Sequence, residues 1–125
     1  MKLTVTALRH KYPHPLRAKQ ASGYVETEYC VGGAFCKEMG VERHGCNFPT
    51  SEEVQQAAQK ANPAIDRNLL TERDFSKFVS ICDKVIAAND VGSFDVAWDA
   101  VRELLHWKPK LMTIEEICER AEREG

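Results

Sequence analysis

Phe75-Ser76-Lys77-Phe78-Val79-Ser80-Ile81-Cys82-Asp83-Lys84-Val85-Ile86 and, nineteen residues further on, Phe94-Asp95-Val96-Ala97-Trp98-Asp99-Ala100-Val101-Arg102-Glu103-Leu104-Leu105 carry one and the same apolar stencil. Apolar residues stand at i, i+3, i+4, i+7, i+10 and i+11 of each: Phe75, Phe78, Val79, Cys82, Val85 and Ile86, then Phe94, Ala97, Trp98, Val101, Leu104 and Leu105. That spacing draws a continuous stripe along an α-helix and fits no strand, whose faces alternate with period 2. Between the stripes lies the polar segment Asn89-Asp90-Val91-Gly92-Ser93. The pattern predicts an αα-hairpin over residues 72–107, two helices folded back to bury their stripes on each other.

Outward from the hairpin, the same signals recur. Thr71-Glu72-Arg73-Asp74 offers a capped start for its first helix, and the second stops near Trp107, ahead of Lys108-Pro109. Thr50-Ser51-Glu52-Glu53 has capping-box spacing before an Ala-rich stretch ending at Asn62-Pro63, and Thr113-Ile114-Glu115-Glu116 repeats it before a stripe of Ile114, Ile117, Cys118 and Ala121. Glu26 to about Met39 predicts a helix with acids near its positive end and Gly40 as terminator. Gly32-Gly33 sits in its middle, where each glycine costs roughly 1 kcal/mol relative to alanine. Close approach by another helix would offset that cost; the alternative is that the glycines break the helix and expose amides. Leu3 to His10 forms a short helix or an arm, broken at Tyr12-Pro13-His14-Pro15, and Pro15 to Ala21 restarts a helix ended by Ser22-Gly23. Residues 40 to 50 read as a loop. The sum is an all-α chain, a compact bundle of about five to six helices in a single domain spanning residues 1–125.

Composition agrees. At 125 residues, 43% hydrophobic and 29% charged, the chain has the makeup of a globular protein large enough for its own core. No segment is apolar for long enough to span a bilayer, and Met1 to Ala7 is too short an apolar run for a signal peptide, which places the expectation in the cytoplasm with no membrane partner. The five cysteines, Cys30, Cys36, Cys46, Cys82 and Cys118, are odd in number and include no C-x-x-C pair, so reduced thiols are expected. Cys82 and Cys118 fall on apolar stripes and read as small buried hydrophobes. The net charge of −2 conceals +5 over residues 1–25 and −7 over the remainder. With no aromatic-basic interleaving beyond Tyr12, the basic segment is expected to dock on the chain's own acidic body or to be solvated, rather than to bind nucleic acid.

Each constellation that suggests chemistry meets a plainer explanation. Cys30, Cys36, His44 and Cys46 supply zinc-type donors, but the first two are six apart and Gly45 alone separates the others, which is not the paired spacing of structural zinc sites. With Gly92 at position 6 of a calcium loop, positions 1 and 12 are Ala87 and Trp98, neither of which ligates a cation. Asn89, Asp90 and Ser93 are therefore expected to close one helix and cap the next. A nucleophilic thiol needs a neighbouring histidine or a helix N-terminus, and Cys30 lies closest to such a terminus. His10 and His14 cannot share a regular helix across Pro13. Trp107 is off its stripe, a contact-surface residue or a packing residue beneath Lys108-Pro109.

Cys30-Val31-Gly32-Gly33-Ala34, with Asn89-Asp90 downstream, resembles a group of small uncharacterised bacterial and phage-related helical proteins, in which a Cys-x-x-Gly-Ala segment is paired with a later Asn-Asp turn. Cys30, Gly33, Ala34, Asn89 and Asp90 fall on that pattern, and the resemblance spans residues 25–105. It brings no activity and no catalytic residues. It implies that Gly33-Ala34 and the Asn89-Asp90 turn form one packing unit or pocket.

The leading expectation is a helical module for protein–protein interaction or self-association, with a homodimer using either the Gly32-Gly33 face or the C-terminal helix. The rival is a small enzyme or a ligand- or metal-binding protein whose pocket gathers Cys30, His44, Cys46, Asn89 and Asp90. No catalytic residue, metal ligand or cofactor is assigned.

Overall fold

A computed structural model describes residues 3–15, 29–41 and 49–124. Within them run six helices and no strand: α1 (Val5–Lys11), α2 (Val31–Glu38), α3 (Ser51–Ala61), α4 (Glu72–Asp90), α5 (Phe94–His106) and α6 (Ile114–Glu124). The fold is all-α, as the periodicity predicts. The helix expected over residues 15–21 and most of the 40–50 loop lie outside the described residues.

Every described helix but α5 starts where a side chain supplies an acceptor. Thr50 and Glu53 form a reciprocal capping box, and Thr71 Oγ1 accepts from Asp74 N at 3.2 Å. Thr113 Oγ1 accepts from Glu116 N at 3.2 Å while Glu116 Oε1 accepts from Thr113 N at 3.4 Å. Two helices end in Schellman turns, each with a glycine at positive φ. At α4, Ser93 N donates to Ala88 O at 2.8 Å and Gly92 N, with φ 82°, to Asn89 O at 3.0 Å. At α2, Val41 N donates to Cys36 O at 2.9 Å and Gly40 N, with φ 70°, to Lys37 O at 3.1 Å.

The hairpin forms as expected, α4 turning through Val91-Gly92-Ser93 into α5 and packing along it. Its second stripe is buried from Ala97 to Leu105. Its first is rotated: Phe78, Cys82 and Val85 are buried, but Ile81 and Ala88 join them while Phe75, Val79 and Ile86 are half-exposed. The reason is that α4 serves three partners, α2 and α3 as well as α5, so its apolar face turns toward the additional neighbours. Trp98, Phe35, Phe78, Leu8, Leu70 and Leu104 are the largest side chains sealed in the core.

The centre of the molecule is α2, whose residues Val31 through Cys36 are all buried. It is shorter than expected. Cys30 is extended (φ −95°, ψ 171°) and caps the helix from outside, so α2 starts at Val31; the expected start at Glu26 lies outside the described residues. Gly32-Gly33 does not interrupt it. A Cβ on Gly32 would lie 2.8 Å from Pro49 Cγ and 3.6 Å from both Val54 Cγ2 and Val85 Cγ1. The glycine thus lets α2 approach the chain before α3, α3 itself and α4. This also removes the Gly32-Gly33 face from use in a homodimer, because the chain's own residues already cover it.

The N-terminal segment docks on its own body through the cations described there. Arg9 pairs with Asp95 at 2.6 Å and Lys11 with Glu38 at 2.8 Å, while Val5, Leu8 and Tyr12 enter the core. Tyr12 Oη donates to the same Glu38 carboxylate at 3.1 Å, and its ring meets Tyr29 edge-on at 4.8 Å. Lys11, and after it Tyr12, hold Glu38 below the usual carboxylate range against a desolvation that works the other way. Burial, helped by the bond to Glu38, pushes the Tyr12 phenol up to about 12.

Two outcomes are expected. Gly32→Ala destabilises the domain by about 1–3 kcal/mol despite alanine's better helix propensity, because the proline ring stands inside contact distance; urea denaturation midpoints measure it. The α1–α2 clamp confers stability that is present above the ordinary carboxylate pKa and lost as pH falls through the depressed Glu38 value. On the alkaline side, stability present below the ordinary tyrosine pKa is lost as pH rises through about 12. Denaturation midpoints against pH check both limbs, and Tyr12→Phe flattens the alkaline one.

Candidate functional site

Of the five residues expected to line a pocket, Cys30 and Asn89 meet at the start of α2. Cys30 Sγ accepts from Gly33 N at 3.2 Å, an N-cap role more often filled by Ser, Thr, Asp or Asn. Asn89 Oδ1 accepts from Val31 N at 2.9 Å, reaching across from the last turn of α4. Both residues are buried, Asn89 to 1% exposure. A helix start sealed from water needs acceptors for its leading amides, and these two side chains provide them.

Asn89 and Asp90 are helical rather than a turn, and they part company: Asn89 points into the core side of α4 and Asp90 is exposed. The expectation that Asn89 and Ser93 act as local caps is corrected. Asn89 caps a different helix, and Ser93, although it stands at the N-cap position of α5, makes no side-chain cap bond. The glycine Schellman turn already closes α4, which releases the asparagine side chain for the distant task. His44 and Cys46 lie outside the described residues. Among the described residues, no cluster of three or more His, Cys, Asp or Glu is placed to hold a metal ion.

Cys82 is a packing residue, as expected: it is fully buried beside Cys36, and desolvation holds its thiol well above the usual range, with Asp83 and Cys36 adding to the effect. Cys118 is not. It is exposed on the side of α6 turned away from the body, while Ile117 of the same stripe is partly covered beside Leu70 and Phe75. Trp107 packs, with its ring 6.2 Å from that of Phe78 and Lys77 Nζ 5.3 Å above its centroid.

The open concave surface lies at the other end of the chain. Met112 N donates to Leu69 O at 2.8 Å, pinning the approach to α6 against the segment between α3 and α4. Three adjoining hollows of about 390, 340 and 390 Å³ then run between α6 and the first turns of α4. The first shares Met112 and Arg120 with the second, and the second shares Thr71, Arg73 and Glu116 with the third, so they form one elongated trough. Leu70, Phe75, Met112, Ile117 and Ala121 give it apolar surface, with Arg67 held 5.7 Å above the Phe75 ring. Ile114, first residue of α6, is 80% exposed. Arg67 and Phe75 were not picked out as site residues by sequence reasoning; the stripe beyond Pro109 was the available signal.

No protein-family model, curated protein or solved structure matches this chain. No helix among the described residues is long and apolar enough to cross a membrane.

Asn89→Ala leaves the buried Val31 amide without its acceptor and is expected to cost about 1–3 kcal/mol. Asp90→Ala, one residue away and exposed, is expected to stay within about 0.5 kcal/mol of the parent. Chemical denaturation of the two variants checks the contrast.

Proposed function

We propose that this domain works by binding another polypeptide, with α6 and the trough beside it as the working surface. The observation that carries the reading is the apolar stripe of α6, which begins at an isoleucine 80% exposed and packs broadly on no other helix. An isolated helix this short is marginal in water, so its amphipathic pattern is explained by a surface that covers it. Burying Ile114 on a partner stabilises the complex by roughly 1.5–3 kcal/mol, while its exposure in the single chain leaves folding indifferent to it.

Binding also accounts for how the domain is built. The residues that suggested a reactive pocket, Cys30 and Asn89, are occupied in holding α2, whereas the surface left open is helical, elongated and lined by both apolar and charged side chains.

The test is Ile114→Asp. The variant is expected to keep the parent's denaturation midpoint within about 0.5 kcal/mol, since the side chain is already wet. It is expected to lose the complex, a second copy or another protein, that the parent forms in cross-linking of cell extract and of purified protein. A parent that cross-links to nothing in either setting contradicts the reading.

A further inference from the structure

We propose that the trough seats α6 of a second copy of this chain, reciprocally, so that two copies pair about a two-fold axis through their C-terminal helices. The inference rests on the reading of α6 as a binding element and names its partner.

Shape and charge select the occupant. The trough is open and elongated along α6, which suits a helix of about 16 Å, the length of eleven residues, better than a compact small molecule. The wall contributed by the body bears Arg67, Arg73, Lys77 and Lys110 against Glu72 and Asp74, an excess of cations. Those cations disfavour a basic peptide. The apolar lining of Leu70, Phe75, Met112, Ile117 and Ala121 offers a polyphosphate chain no partner but matches the apolar stripe of a helix. What remains is an amphipathic helix with an acidic flank, and the chain carries one: α6 sets Glu115, Glu116, Glu119 and Glu122 against Arg120 and Arg123 around its apolar stripe.

Arg67 and Lys77 are engaged within the chain, on Glu52 and Phe75 and on Trp107, but Arg73 and Lys110 leave part of this complementarity unused. Among the described residues the ion pairs join Arg9 to Asp95, Lys11 to Glu38, Arg67 to Glu52 at 3.8 Å, and Arg102 to Asp99. Arg73 and Lys110 on the body, and Glu115 and Glu119 on α6, make none. An isologous pairing brings the same two surfaces together twice, satisfying both troughs at once. With the axis between the paired helices, residues near the middle of α6 lie close to their own counterparts, and Cys118 is an exposed thiol at that position.

The experiment is sedimentation equilibrium of the full chain with two charge-reversed variants, Arg73→Glu/Lys110→Glu on the body and Glu115→Lys/Glu119→Lys on α6. The parent is expected to dimerise with rising concentration and to cross-link between two copies with a short bismaleimide, a product absent from Cys118→Ser. Each reversed variant alone is expected to lose roughly tenfold or more in dimer affinity, because like charges then meet. An equimolar mixture of the two is expected to regain it, since both troughs of the mixed dimer again pair opposite charges; a mere loss of folding gives no such rescue. A monomeric parent overturns the inference: if an Ile114-dependent complex with another protein persists, the proposed function stands without it, and if none persists both fall. A dimer indifferent to the charge reversals also overturns the inference, because its seat is then elsewhere.

Discussion

The amide of Val31, held at 2.9 Å by the side chain of Asn89, ties the two halves of the molecule together. A glycine-bearing helix surrounded on all sides cannot send its leading amides to water, and each buried donor left without an acceptor costs on the order of 1–3 kcal/mol. Asn89 meets that need from α4, and Cys30 meets it locally. The contact also sets the last turn of α4 beside the first turn of α2, so the negative end of one helix lies at the positive end of the other. Gly32 then permits the closeness, and the position of α2 determines how α3, α4 and α5 gather round it.

A second buried asparagine does the corresponding work at the far end. Asn62, just past α3, donates to Leu104 O at 2.9 Å and to Trp107 O at 2.7 Å, and accepts from Ala64 N at 3.1 Å. Two carbonyls at the end of α5, those of Leu104 and Trp107, are thereby satisfied, and the chain leaves the core from a held point. Met112 is pinned to Leu69 soon after. α6 is thus delivered to a defined place without being folded into the interior.

The hairpin was legible because Phe75 to Leu105 obeys one helical period, and the caps at Thr50, Thr71 and Thr113 were legible because capping is decided within four residues. The close approach at Gly32 was readable as a need, since paired mid-helix glycines require a tertiary reason, though not as a partner. What escaped the sequence was long-range. Asn89 looked like a turn residue because local rules cover only near neighbours, and its true acceptor role lies fifty-eight positions away. The rotation of the α4 stripe likewise depends on α2 and α3 pressing from other directions. Cys118 was misjudged for the opposite reason: an apolar stripe says that a face prefers cover, not that the same chain supplies it. His44 and Cys46, read with Cys30 as a possible pocket, fall outside the described residues.

Hydrogen exchange of the full chain at low and high protein concentration tests most directly the claim that α1 to α5 close the core and leave α6 to a second surface. The expected result is slow exchange of α2, α4 and α5 amides at both concentrations, with α6 amides fast in dilute solution and slowed on concentration. Slow exchange of α6 in the dilute chain, or fast exchange that concentration leaves unchanged, would contradict it.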